Sequence, residues 1–124
     1  MARNVAGWLL EEADRARLLA LFPPAYDRVI AHHVTLRAGV PPDFPLPTAE
    51  EGAVVGLADD GAGVQALVVE IDGTTRRPDG STWHITWSLA EGRAPVESNA
   101  VLRARGWTAT PRHPIRLRPA VFQS

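Results

Sequence analysis

The chain has 124 residues, 45% hydrophobic and 22% charged, with a net charge of −1. That composition suits a single domain over residues 1–124 that buries a core without covalent staples. With no cysteine, disulfides, thiolate metal sites and a cysteine nucleophile are excluded, and with every basic residue an Arg, so is lysine Schiff-base or lysine nucleotidyl-transfer chemistry. The charge is uneven: residues 1–70 carry five Arg against ten Asp and Glu (net −5), and residues 71–124 carry eight Arg against four (net +4). A basic C-terminal half suits an anionic ligand or a solvated face. No apolar run reaches bilayer length and the first residues lack a basic-then-apolar leader, so the expectation is a cytoplasmic protein with no membrane partner.

In chain order, Trp8 to Leu21 reads as an amphipathic helix with Leu9, Ala13, Ala16 and Ala20 as its stripe, a Glu11–Arg15 pair, and Asn4 or Gly7 as its lead-in. Phe22-Pro23-Pro24 stops it. A strand is predicted at about 28–37, followed by a proline-rich irregular loop over 38–51. Ala53–Ala58 and Val64–Ile71 flank Asp59-Asp60-Gly61-Ala62-Gly63 as a hairpin. Two turn signals, Asp72-Gly73 and Pro78-Asp79-Gly80, lead into a strand over Ser81–Leu89. Pro95 opens a helix to about Arg105, capped by Gly106. Ile115 to Phe122 reads as a last strand, confined to an edge by Pro119. Two helices and about five strands joined by hairpin-like turns point to α+β with a largely antiparallel sheet.

The strand at 81–89 carries the chemistry. Trp83, Ile85, Trp87 and Leu89 fall on one face and His84, Thr86 and Ser88 on the other. The upstream strand repeats the pattern: His33 and Thr35 share a face opposite Val34 and Leu36. One His-x-Thr is more often structural than functional; two copies on well-patterned strands favour a paired-histidine site. One imidazole accepts a proton while the other donates one, as attack on a phosphodiester requires. The hydroxyl two residues on faces the same way and can hydrogen-bond a non-bridging phosphate oxygen.

His33-Val34-Thr35-Leu36 and His84-Ile85-Thr86 resemble the two signature motifs of the 2H phosphoesterase superfamily. Asp79-Gly80-Ser81 before the second motif, and Pro95-Val96-Glu97-Ser98-Asn99 after it, resemble the cyclic phosphodiesterase domain of fungal tRNA ligases. The similarity spans about Arg28 to Leu102. It implies a bilobal antiparallel sheet with outer helices and two His-x-Thr strands lining a central cleft. It further implies a metal-independent, cofactor-free hydrolase in RNA processing or repair, acting on an RNA end or small nucleotide with a 2′,3′-cyclic phosphate and leaving a 2′-phosphate. His33 and His84 would be the acid/base pair, and Thr35 and Thr86 the phosphate-binding hydroxyls.

Arg76 and Arg77 precede the second motif and are candidates to clamp a phosphate. Tyr26, Phe44 and Trp107 are candidates for base stacking, whereas Trp83 and Trp87 read as core. His32 points away from His33 in a regular strand and reads as structural or at a sheet edge; in a bulged strand it would exchange roles with His33. His113 reads as a surface turn residue, and Arg116 and Arg118 share one strand face. Ser98 and Asn99 read as bracing the helix start. No His-x-His or His-x₃-His spacing supports a zinc site built from His33, His84, His113 and a carboxylate. The rival readings are a 2′-5′ phosphodiesterase or cyclic nucleotide hydrolase, a non-catalytic RNA-end binding module, and a structural domain with both histidines buried and satisfied.

Overall fold

The computed structural model describes residues 3–124. In chain order its elements are β1 (Asn4–Leu10), α1 (Glu12–Leu21), β2 (Arg28–Val29), β3 (His33–Ala38), β4 (Glu51–Asp59), β5 (Val64–Glu70), β6 (His84–Leu89), α2 (Glu97–Arg105) and β7 (Thr108–Gln123). The strands form one antiparallel sheet in the order β2-β6-β5-β4-β7-β1-β3. The α+β expectation therefore holds, with seven strands. Among the described residues no helix is long and apolar enough to cross a membrane.

The first departure is at the N-terminus. Asn4–Leu10 is a strand between β7 and β3, and the helix starts only at Glu12. Val5, Ala6, Trp8 and Leu10 are all buried, so tertiary burial overrides the helical period that runs on from Glu12. The expected stripe fails with it, since Ala13, Ala16 and Ala20 are exposed and Leu18 carries the buried contact. Arg15 pairs not with the Glu11 carboxylate but with the Ala31 carbonyl, its Nε donating at 2.8 Å. At Gly7, β1 lies so close to β3 that a Cβ would stand 2.1 Å from the Val34 carbonyl oxygen. Gly7→Ala should therefore cost about 2 kcal/mol or more, read as a lowered urea midpoint with unchanged m.

The last strand also departs from expectation. β7 is sixteen residues long and lies inside the strand order, in spite of Pro111, Pro114 and Pro119. Its residues 108–116 pair with β4 and its residues 117–123 pair with β1. Each half is paired on one side only, so the prolines still occupy edge positions. His113 lies within this strand, half-buried and edge-on to Phe22, and not in a surface turn.

The hairpin at 53–71 forms as expected. Asp60 Oδ1 accepts from the amides of Ala62 and Val64, and Asp59 Oδ1 from that of Gly61. Residues 39–50 form no helix or strand, and α2 ends as read, with Gly106 at φ +69° and its amide donating to Leu102. Two buried clusters flank the central strands. Trp8, Leu18, Leu67, Trp83, Ile85 and Trp87 belong to one, and Val64, Val68, Leu89, Val101 and Leu102 to the other, so α1 and α2 cover opposite faces.

Leu89 was expected beside Trp87. The β5–β6 register shifts so that Gln65 faces Ser88 while Ala66 faces Thr86, leaving Trp87 as an extra residue. This bulge reverses the alternation. Leu89 moves to the α2 side, and Ser88 leaves the His84 face to donate to Gln65 Oε1 at 2.5 Å.

Candidate functional site

The predicted strand at 28–37 breaks into β2 and β3, and that break brings the two His-x-Thr segments together. Ile30 and Ala31 donate their amides to the carbonyls of Trp87 and Thr86, at 2.9 and 3.0 Å. At Ala31 φ is +45°, a left-handed conformation that a non-glycine residue adopts at a cost, here in a fully buried position. Two residues later β3 begins and pairs with β1. His33 is thus two positions from a residue hydrogen-bonded to Thr86. β3 and β6, far apart in strand order, come into contact.

His33, Thr35, His84, Thr86 and Arg77 line one cavity of about 790 Å³, with Arg3, Arg37, Phe44, Asp79 and Asn99 also on its walls. That volume accommodates a nucleotide-sized ligand. Two expected members lie elsewhere. Tyr26 donates its hydroxyl to Asp59 Oδ1 at 2.5 Å at the β4–β5 turn; partial burial, and then this bond, raise its pKa. Arg76 is exposed and lines a neighbouring groove with Trp8 and Trp83. The expectations rested on a loop setting for Tyr26 and on sequence position before the second motif for Arg76, neither of which sets where the side chain lies. Trp107 packs over Gly56, outside the cavity.

His84 is buried, and its Nδ1 lies 2.8 Å from the Thr82 carbonyl oxygen. A carbonyl only accepts, so Nδ1 carries the proton and the neutral ring leaves Nε2 bare. Burial lowers its pKa, and the Arg77 charge adds to this against the opposing effect of the Thr82 bond. His33 is pushed down to about 4, first by burial and then by the charges of His32 and His84. Both shifts favour the neutral ring. An entering phosphate would favour their protonated forms.

The two threonines differ. Thr35 makes no side-chain hydrogen bond among the described residues, so its hydroxyl is available. Thr86 Oγ1 lies 3.0 Å from Ser98 Oγ and donates to the Pro95 carbonyl at 3.3 Å. Ser98 is fully buried and is held by α2, which Pro95 introduces. If the longer bond to Pro95 is exchanged for a ligand oxygen, Ser98 still orients the hydroxyl. Ser98→Ala should cost about 1–2 kcal/mol of stability in urea titrations, since it leaves buried Thr86 short of a partner. It should also weaken binding of inorganic phosphate.

Arg77 fixes the wall between the two strands. Its guanidinium donates to both Asp79 oxygens, to the Thr35 carbonyl at 3.1 Å and to Asn99 Oδ1 at 3.5 Å. These bonds, with those from Ser81, hold the Asp79 carboxyl well below the usual carboxylate range. Arg3 and Arg37 have no carboxylate within ion-pairing distance among the described residues, and the Arg37 guanidinium lies 6.0 Å from the Phe44 ring centroid. Strict alternation would put Arg37 on the face of His33 and Thr35, but the β1–β3 register shifts there, with Thr35 facing Gly7 and Arg37 facing Ala6, so its place at the cavity is set by the tertiary pairing. Arg3 directly precedes β1, which the sequence reads as a helix lead-in.

Among the described residues, no group of three or more His, Asp or Glu is placed to hold a metal. Comparison with family models, curated proteins and solved structures gave no significant match.

Proposed function

We propose that this chain is a metal-independent phosphodiesterase of the 2H type. It would hydrolyse the 2′,3′-cyclic phosphate of an RNA end or small nucleotide to a 2′-phosphate. The observation that carries this reading is the convergence of His33, Thr35, His84 and Thr86 on one cavity with Arg77 in its wall. Two imidazoles that share a cavity can divide the labour of acid and base. Water attacks phosphorus as one ring takes its proton, and the other ring protonates the departing 3′ oxygen. The Thr35 hydroxyl and the cationic walls stabilise charge on the non-bridging oxygens. On this reading the two ladders that share β7 are the two lobes, with the His-x-Thr strands on either side of the cleft.

One observation favours the non-catalytic reading of an RNA-end binding module. Burial lowers the pKa of both histidines, which disfavours the charged ring that a general acid needs. Its cationic arginines would then hold the phosphate without turnover.

The test is incubation with EDTA and a short RNA ending in a 2′,3′-cyclic phosphate, with end groups read by mass and by 2′- and 3′-specific phosphatases. A 2′-phosphate product is expected. Binding without turnover of this substrate, of a 2′-5′ linked dinucleotide and of a cyclic nucleotide would leave the binding module.

A further inference from the structure

His32 stands outside the chemistry described so far, yet it touches it. In a regular strand, adjacent side chains point to opposite faces. Here the left-handed turn at Ala31 precedes the pair, and the Nδ1 atoms of His32 and His33 lie 3.0 Å apart. At that distance one nitrogen donates and the other accepts. The Phe122 ring packs edge-on against both imidazoles, with centroids 5.9 Å from His32 and 4.8 Å from His33. His32 is exposed to solvent, whereas His33 is half-buried and lines the cavity.

We propose that His32 and His33 act as one proton-donating dyad, in which solvent-facing His32 loads the proton that His33 delivers to the leaving oxygen. This rests on the phosphodiesterase reading above. The geometry divides the roles. His84 presents a bare Nε2 when neutral because Nδ1–H is committed to Thr82, so it is the base. His33 has its Nδ1 turned to His32, which leaves Nε2 for the cavity.

In the loaded state the extra proton is on His32, whose Nδ1–H donates to His33 Nδ1, and His33 carries its own proton on Nε2. During the reaction a water proton passes to His84 Nε2 while the water oxygen bonds to phosphorus. The bond from phosphorus to the 3′ oxygen breaks, and that oxygen takes the Nε2 proton of His33. The His32 Nδ1 proton crosses to His33 Nδ1. His33 thus begins and ends neutral, His32 loses one positive charge, and His84 gains one. The product is a 2′-phosphate monoanion with a free 3′ hydroxyl. Exchange with water discharges His84 and reloads His32. A dyad of this kind lets a ring whose own charge is disfavoured by burial serve as an acid near neutrality. His32 is accordingly a positioning and relay residue that acts through His33.

The experiment compares wild type, His32→Phe and His32→Asn on the cyclic-phosphate RNA, alongside spectra of ¹⁵N-histidine-labelled protein. Asn can still donate an N–H to His33 Nδ1 but cannot pass a proton. Both variants are expected to lose about 10²-fold in kcat with KM within about two-fold. Wild-type spectra should show one ring proton shared between two Nδ1 atoms, absent in both variants. Full turnover by His32→Asn would reduce His32 to a structural brace and overturn the relay. A wild-type protein that shows the shared proton yet leaves the RNA intact would sink the phosphodiesterase reading instead.

Discussion

Replacing either cavity histidine should lower turnover of a 2′,3′-cyclic phosphate by about 10²- to 10⁴-fold, the range general acid–base groups contribute. His33→Ala removes a half-buried ring whose hydrogen-bond partner, His32, can turn to water, so the fold should persist. His84 is buried against the Thr82 carbonyl, and truncation there would strand an acceptor. His84→Asn is the better variant, because its amide can occupy the Nδ1 position and donate to Thr82 while Nε2 is lost. The double variant should be little worse than the more damaging single one, since both groups serve one transition state. Phosphate binding measured in parallel decides the matter. Variants that bind as wild type but do not turn over mark catalysis. Variants that lose binding and turnover together point to the arginine-lined binding module.

Stability should fall as pH drops from about 6.5 toward 4. The unfolded chain holds its histidines near 6.5, while folding pushes His33 down to about 4 and His84 in the same direction. Between those values the unfolded state binds more protons, so unfolding free energy rises with pH. The contribution is complete above about pH 6.5 and is lost as pH falls through the window. For His33 alone it is of the order of 3 kcal/mol. The depressed carboxyls of Asp60, Asp79 and Glu97 act in the same direction but only at lower pH, through and below the ordinary carboxylate range. Urea midpoints between pH 7.5 and 4.5 therefore report mainly the histidines. His33→Gln should flatten the profile, and an unchanged slope would show that this ring is not held neutral by the fold. Saturating phosphate should shift the loss to lower pH, because it binds best when the rings are charged.

Much of the molecule was legible from residue order. The 59–63 hairpin turn, the Gly106 cap, the proline-rich stretch at 39–50 and the core roles of Trp83 and Trp87 follow from local chemistry: aspartate oxygens meeting nearby amides, a left-handed glycine, and period-two burial. The candidate pairing of His33-Thr35 with His84-Thr86 also came from period two, and the cavity contains all four. What sequence alone could not supply were effects made by partners distant in the chain. β1 is a strand because β7 and β3 flank it, not because of its own pattern. The Trp87 bulge depends on register against β5, and it moves Ser88 and Leu89 to faces that strict alternation denies them. Tyr26 and Arg76 lie near the motifs in sequence but are taken elsewhere by Asp59 and by the neighbouring groove. The left-handed Ala31 is set by amide and carbonyl bonds to Thr86 and Arg15, and it both joins the two motifs and turns His32 onto His33. Residue types and their period singled out the four side chains that the cavity brings together. Only tertiary hydrogen bonding decided how those side chains face one another, because that depends on contacts that no local window contains.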